Sequence, residues 1–216
     1  MRKSRLLLLV ALVTGLVWGC FGGSVPPEKI KRYILDYPPP RISGLEPLDT
    51  IIKVERFTAY PPYNQNSIVY RAKPFERNVY HYERWWVPPP DMLADFIARD
   101  FRSQGLYRGT LRYDNPGRAR FRVEGDLIDF LEEDTPEAWY AVLTVDVVLA
   151  DRKSKDSSTW VVWQKNYHVR ERCEAKGPKK LVEAMSRAVA QFSAQLSRDV
   201  YSGVKERLGQ ESPDKQ

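Results

Sequence analysis

The sequence predicts a two-layer α+β domain: a mainly antiparallel sheet covered by two helices, one inserted and one long and C-terminal. Three observations predict it. Residues 139–149 alternate strictly, with Trp139, Ala141, Leu143, Val145, Val147 and Leu149 on one face. From about Pro178 to Leu208, apolar residues recur at helical spacing: Leu181, Met185, Ala188, Val189, Phe192, Leu196, Val200, Val204 and Leu208. A shorter stripe, Met92, Leu93, Phe96, Ile97 and Phe101, interrupts the strand-rich part and stops at Gly105. Long strands with one apolar face need helices to cover that face.

The elements follow in order. Residues 1–19 form a secretory leader: basic Arg2, Lys3 and Arg5, then an apolar run of about a dozen residues. A spanning helix needs about 20 apolar residues, so this run is too short to be one. Gly19 directly before Cys20 resembles a lipobox, at which cleavage would make Cys20 the lipid-bearing first residue, although Trp18 is bulky for that motif; an ordinary cleaved leader with a chance cysteine is the competing reading. Residues 20–30, with Gly22, Gly23, Pro26 and Pro27, form an acylated flexible tether. The folded domain spans 31–208, and the polar stretch 209–216 forms a tail.

Within the domain, residues 32–37 read as a strand that ends at Pro38-Pro39-Pro40, and 50–57 as a second. Strands at 67–71 and 78–83 make a hairpin across 72–77. Pro88-Pro89-Pro90 opens the first helix, where proline's missing N–H costs nothing. Residues 106–113 and 118–134 read as strands, the second with a bulge at Gly125. After the strand at 139–149 and a polar loop, 159–171 returns with Val161, Trp163, Tyr167 and Val169 on one face.

Composition excludes several functions. Removing the leader's three basic residues leaves 31 basic against 28 acidic side chains, a net of +3. That is an ordinary solvated surface with no nucleic-acid footprint. With Cys20 acylated, Cys173 has no cysteine partner, and no Cys/His spacing suggests zinc. His81 and His168 lie in strands, apart from any nucleophile elbow or triad motif. Glu132-Glu133-Asp134 reads as a solvated turn, and no phosphate-binding loop is present. No cofactor and no enzymatic activity are expected.

Two stretches are candidate interfaces. Arg84-Trp85-Trp86 leads into the proline run, and Tyr60-Pro61-Pro62-Tyr63 combines rigid prolines with tyrosines. Packing of one or both tryptophans beneath the first helix is the competing reading of the first stretch.

Several runs together resemble one family. They are Arg32-Tyr33-Ile34-Leu35-Asp36; Ile52-Lys53-Val54 with Pro61-Pro62-Tyr63; Ile68-Val69-Tyr70-Arg71; a tryptophan at 85 or 86 with Pro88-Pro89 and Met92-Leu93; and Phe121-Arg122-Val123-Glu124-Gly125 with Phe130 and Trp139. In this order, and with the closing amphipathic helix, they resemble the ABC-type transport auxiliary lipoproteins, which include the paraquat-inducible C-type lipoproteins. The resemblance implies a non-enzymatic, membrane-anchored periplasmic component of an ABC transport system, engaged in lipid transport between membranes. Its implied partner is an ABC permease or a mammalian-cell-entry-type (Mce) protein; a homo-oligomer stays open. The anchor would be Cys20, carrying acyl chains such as palmitate. Phe21, where inner-membrane lipoproteins typically carry aspartate, favours the outer membrane. The alternative is a lipoprotein that carries phospholipid in its own apolar cleft, which requires a cavity of several hundred Å³.

Overall fold

The structure is a computed structural model that describes residues 28–210 except residue 154. The leader 1–19, Cys20, most of the tether and the tail beyond 210 lie outside the described residues.

Nine strands form one mixed sheet. They are β1 (Lys31–Tyr33), β2 (Leu48–Val54), β3 (Thr58–Ala59), β4 (Ser67–Arg71), β5 (Asn78–Trp85), β6 (Tyr107–Arg112), β7 (Phe121–Asp134), β8 (Trp139–Asp151) and β9 (Val161–Arg172). Helix α1 (Pro89–Gln104) is inserted between β5 and β6, and α2 (Pro178–Gly209) closes the domain. The α+β architecture read from the sequence is the one observed. The two long ladders, β7–β8 and β8–β9, are antiparallel, as is the β4–β5 hairpin.

The shorter ladders are parallel, a feature the alternation pattern does not reveal. One edge of β7 pairs with β8 throughout. The other edge receives three parallel strands in series: β2 at Phe121–Val123, β3 at Asp126–Leu127 and β4 at Leu131–Glu133. Two wings then grow from that edge. β6 adds in parallel to β2, while β5 adds to β4 and β1 adds in parallel to β5.

Periodicity explains the helices. α2 lays its predicted stripe, from Leu181 to Val204, into the core against β8 and β9. α1 buries Met92, Leu93, Ile97 and Phe101 against β2, β6 and β7. It starts on prolines and ends at Gly105, whose φ of 66° is the left-handed cap that glycine adopts without strain.

Four expectations are corrected. The first strand is only Lys31–Tyr33, because the chain from Ile34 leaves the sheet edge. Its backbone then bonds to helix side chains, as where Asp36 N–H donates to Ser186 Oγ at 3.0 Å. The second strand stops at Val54, and Phe57 turns into the core. Gly125 stays in register opposite Val147; the bulge lies between Leu127 and Asp129. The glycine serves packing instead, since a Cβ there would stand 2.5 Å from the Phe57 ring. Val161, assigned to the apolar face of β9, is exposed where that strand begins.

A buried polar node ties the layers together. The Asp100 carboxylate, on α1, is fully buried. It accepts from Tyr37 Oη at 2.8 Å, from Ser193 Oγ of α2 at 2.6 Å and from Arg99 Nε at 2.9 Å. Arg99 also stacks over Tyr37 and Phe96. Burial, and the Asp100 charge after it, hold the Tyr37 phenol far above its ordinary value, so it stays a proton donor.

Replacing Asp100 by alanine leaves two buried hydroxyls without their acceptor. The expected loss is about 2–4 kcal/mol in urea unfolding, and Asp100→Asn, which keeps one acceptor, loses less.

Candidate functional surface

The two candidate stretches meet in space. Ser67 at the start of β4 pairs with Arg84 near the end of β5. Asn66 then fastens the two loops: its carbonyl accepts from Trp85 N–H at 2.7 Å, and its Nδ2 donates to the Trp86 carbonyl at 3.2 Å.

The pair of tryptophans divides between interior and surface. Strand alternation puts neighbours on opposite faces. Trp85 is 1% exposed and packs edge-on against Phe130, ring centroids 5.1 Å apart. Trp86 is 62% exposed. The β1–β5 register sets Tyr33 beside Trp85, and the next residue on each strand, Ile34 and Trp86, is exposed. Ile34 therefore belongs to this surface, although the sequence reading kept it within a strand. Arg84 turns back on its own strand, donating to the carbonyls of Tyr80 and Glu83.

The Tyr60–Asn66 loop divides in the same way. Pro61–Tyr63 forms a 3-10 turn, and Tyr60 N–H bonds to the Leu127 carbonyl at 3.0 Å. Tyr60 and Pro61 are exposed, and Pro62 is half-buried. Tyr63 is buried; its hydroxyl donates to Asp129 Oδ1 at 3.1 Å and accepts from Arg77 Nε at 3.3 Å. Burial raises the Tyr63 phenol above its ordinary value, with the Arg77 bond opposing. Of the candidate residues, Trp85 and Tyr63 are thus core supports. Tyr60 and Pro61 on one loop, and Trp86 with Ile34 beside it on the other, are the exposed ones.

The polar residues singled out for chemistry are placed as follows. His168 Nδ1 lies 2.9 Å from Thr144 Oγ1, its cross-strand partner in the β8–β9 ladder. His81 sits on β5 and is exposed. Burial pushes the Cys173 thiol up to about 11. Within the acidic run, Glu133 bridges Arg71 and Arg170, which hold it below the usual carboxylate range despite its desolvation. Glu132 is instead buried, against the expectation of a solvated turn. It accepts from Tyr80 Oη at 2.8 Å, and its second oxygen lacks a partner. Desolvation raises its pKa, opposed by the Tyr80 bond. Among the described residues no His, Cys, Asp and Glu group is arranged to hold a metal, and no helix is long and apolar enough to cross a membrane.

The family model for the ABC-type transport auxiliary lipoprotein component matches residues 33–197. The chain belongs to this family. The match covers β2 to β9, α1 and most of α2, and it places the chain among envelope lipoproteins that assist ABC-type transport. The fold is shared with protein XCC0632 from Xanthomonas campestris at 18% identity and a TM-score of 0.75, over 83% of this chain and 99% of that one. A second solved structure, of an uncharacterized protein, shares 15% identity with a TM-score of 0.63, over 80% of this chain and 99% of that one. No curated protein matches the chain.

Two measurements check this division of roles. Trp85→Ala should cost about 3–5 kcal/mol in unfolding free energy, as for other buried aromatics. Trp86→Ala should stay within about 0.5 kcal/mol of the parent.

For Glu132 the sign is fixed by burial. A carboxyl whose folded pKa is raised binds more protons folded than unfolded, so stability falls as pH rises from the ordinary carboxylate value through the raised one. Glu132→Gln should therefore raise the melting temperature at pH 8 and raise it less, if at all, at pH 4.

Proposed function

We propose that this auxiliary lipoprotein is a non-enzymatic docking component of a lipid-transporting ABC system. Acylated Cys20 anchors it to a membrane, and the surface of Tyr60, Pro61, Trp86 and Ile34 contacts an ABC permease or a mammalian-cell-entry-type protein. The observation that carries the reading is that surface. Two separate loops, joined through Asn66, hold exposed apolar side chains over buried anchors, so the patch is rigid before it binds. Exposed tryptophan and tyrosine on a fixed backbone bury much area at little entropic cost. Phe21 supports attachment at the outer membrane. Two or more acyl chains give stable anchoring, at about 0.8 kcal/mol per buried CH₂.

A phospholipid carrier requires an apolar cavity. The groove between residues 42–45 and α2, about 570 Å³, opens to solvent and mixes Leu45 and Tyr201 with Arg198, Lys205 and Glu206. That lining suits an interaction surface better than an acyl-chain store.

The anchor and the patch are tested separately. Cys20→Ala should move the protein from the membrane to the soluble fraction with an unchanged melting curve; a variant that stays membrane-bound would sink the anchor. In crosslinked membranes the parent should recover the permease or mammalian-cell-entry-type protein, and Trp86→Ala should lose most of that recovery while staying folded. Equal recovery by both would move the interface elsewhere.

A further inference from the structure

Phe75, at the tip of the β4–β5 hairpin, has the most exposed large apolar side chain among the described residues, at 102%. It also stands at a φ of 66°, a left-handed backbone that a bulky residue rarely adopts. The turn therefore carries two costs, an apolar ring in water and backbone strain. The ring's full exposure leaves the first cost without burial to offset it among the described residues. Basic Lys73 precedes it in the turn and acidic Glu76 follows it, while the Arg77 side chain turns away to Tyr63 and Asp129. A cleft of about 580 Å³ separates the tip from residues 133–136 at the end of β7, with Arg71 as well as Glu133 and Asp134 on its walls.

The topology says what lies opposite this tip. β1 runs parallel to β5, with Lys31 beside Glu83. The chain before β1 therefore approaches from the side on which β5 begins, which is the side of the hairpin tip. Continuing that register sets Ile30 level with Tyr82, seven residues, or roughly 23 Å of strand, from Phe75. Cys20 precedes Ile30 by ten residues, and a chain of that length reaches at most about 35 Å. The tether is thus long enough to carry its anchored end past the tip, so that the acyl chains and the tip can reach one membrane surface together.

We propose that the β4–β5 tip is a second membrane contact, with the Phe75 ring inserted among lipid acyl-chain ends and Lys73 at the headgroups of the same leaflet. An apolar ring close to a cationic side chain is the pattern of interfacial anchors. The proposal rests on the Cys20 anchor, which supplies the orientation.

The test uses the full mature protein reconstituted in vesicles of phosphatidylethanolamine and phosphatidylglycerol, with mass spectrometry of Cys20 as an independent readout. Phe75→Trp should add a tryptophan signal that is blue-shifted on vesicles and quenched by brominated acyl chains beyond the parent's quenching. Phe75→Ser should keep the parent's melting temperature, remain acylated and membrane-bound, and gain protease sensitivity at the 72–77 turn on vesicles. Acylated, membrane-bound protein whose added tryptophan is neither shifted nor quenched overturns the tip contact and leaves the anchor standing. So does a shift that appears only when a transport protein is added, which would make the tip a protein contact. Soluble protein with unmodified Cys20 overturns both.

Discussion

The fold depends on β7, which is hydrogen-bonded along both edges by strands of opposite sense. One edge is taken by a single long antiparallel partner, β8. The other is shared by β2, β3 and β4, all parallel to β7 and laid end to end. Three short strands can follow one long one only if the chain steps away and returns between them. Residues 55–57 and 60–66 are those steps. The first sends Phe57 inward over Gly125, and the second becomes the Tyr60–Asn66 loop. The exposed loop is therefore a consequence of sheet offset, and its bonds to Leu127 and Asp129 come from the same strand.

The helices are held by apolar burial and aligned by polar contacts. α2 supplies serines at 186, 193 and 197, which meet Asp36 N–H, the Asp100 carboxylate and Gln104 Nε2 respectively. Apolar packing tolerates sliding more readily than hydrogen bonds do. This row therefore fixes the register of α2 against α1 and the Leu35–Pro40 segment, at the desolvation cost that buried polar groups carry. Because Leu35–Pro40 follows shortly after β1, the node also pins the chain that enters the domain from its N-terminal side.

Much of this was legible in the sequence, for a physical reason: long elements average out local ambiguity. β8 and α2 repeat their patterns over enough residues for the period to decide, and α1 is bounded by proline and glycine with clear stereochemical roles. The parallel ladders were not legible. Their strands are short, and partner choice is set by hydrogen bonds between distant segments that leave no local period. The tryptophan pair shows the boundary well. Alternation requires one ring in and one out, but only the pairing with Tyr33 and the contact with Phe130 decide that Trp85 is the buried one. Glu132 misled because its neighbours Glu133 and Asp134 do make ordinary ion pairs, while its own side points into the core. Phe75 had a signal that went unused: an aromatic ring in a turn, where small polar residues are favoured on physical grounds.

Phe75 and Trp86, both exposed, lie toward opposite ends of β5, and on the proposed function this separation is what the architecture contributes. Phe75 precedes the strand and Trp86 follows it, so an eight-residue strand stands between them. With the anchor and tip contact as proposed, Trp86 and Ile34 would face away from the lipid, roughly 25 Å further along the strand. An acyl anchor alone fixes a domain at one point and lets it swing. Adding a second contact beside the anchor restricts the swing, which raises the effective concentration of the distal patch at a partner embedded in or reaching toward the same membrane. The rigidity of the sheet between the two ends is then part of the mechanism, because a flexible connection would lose the gain that orientation provides.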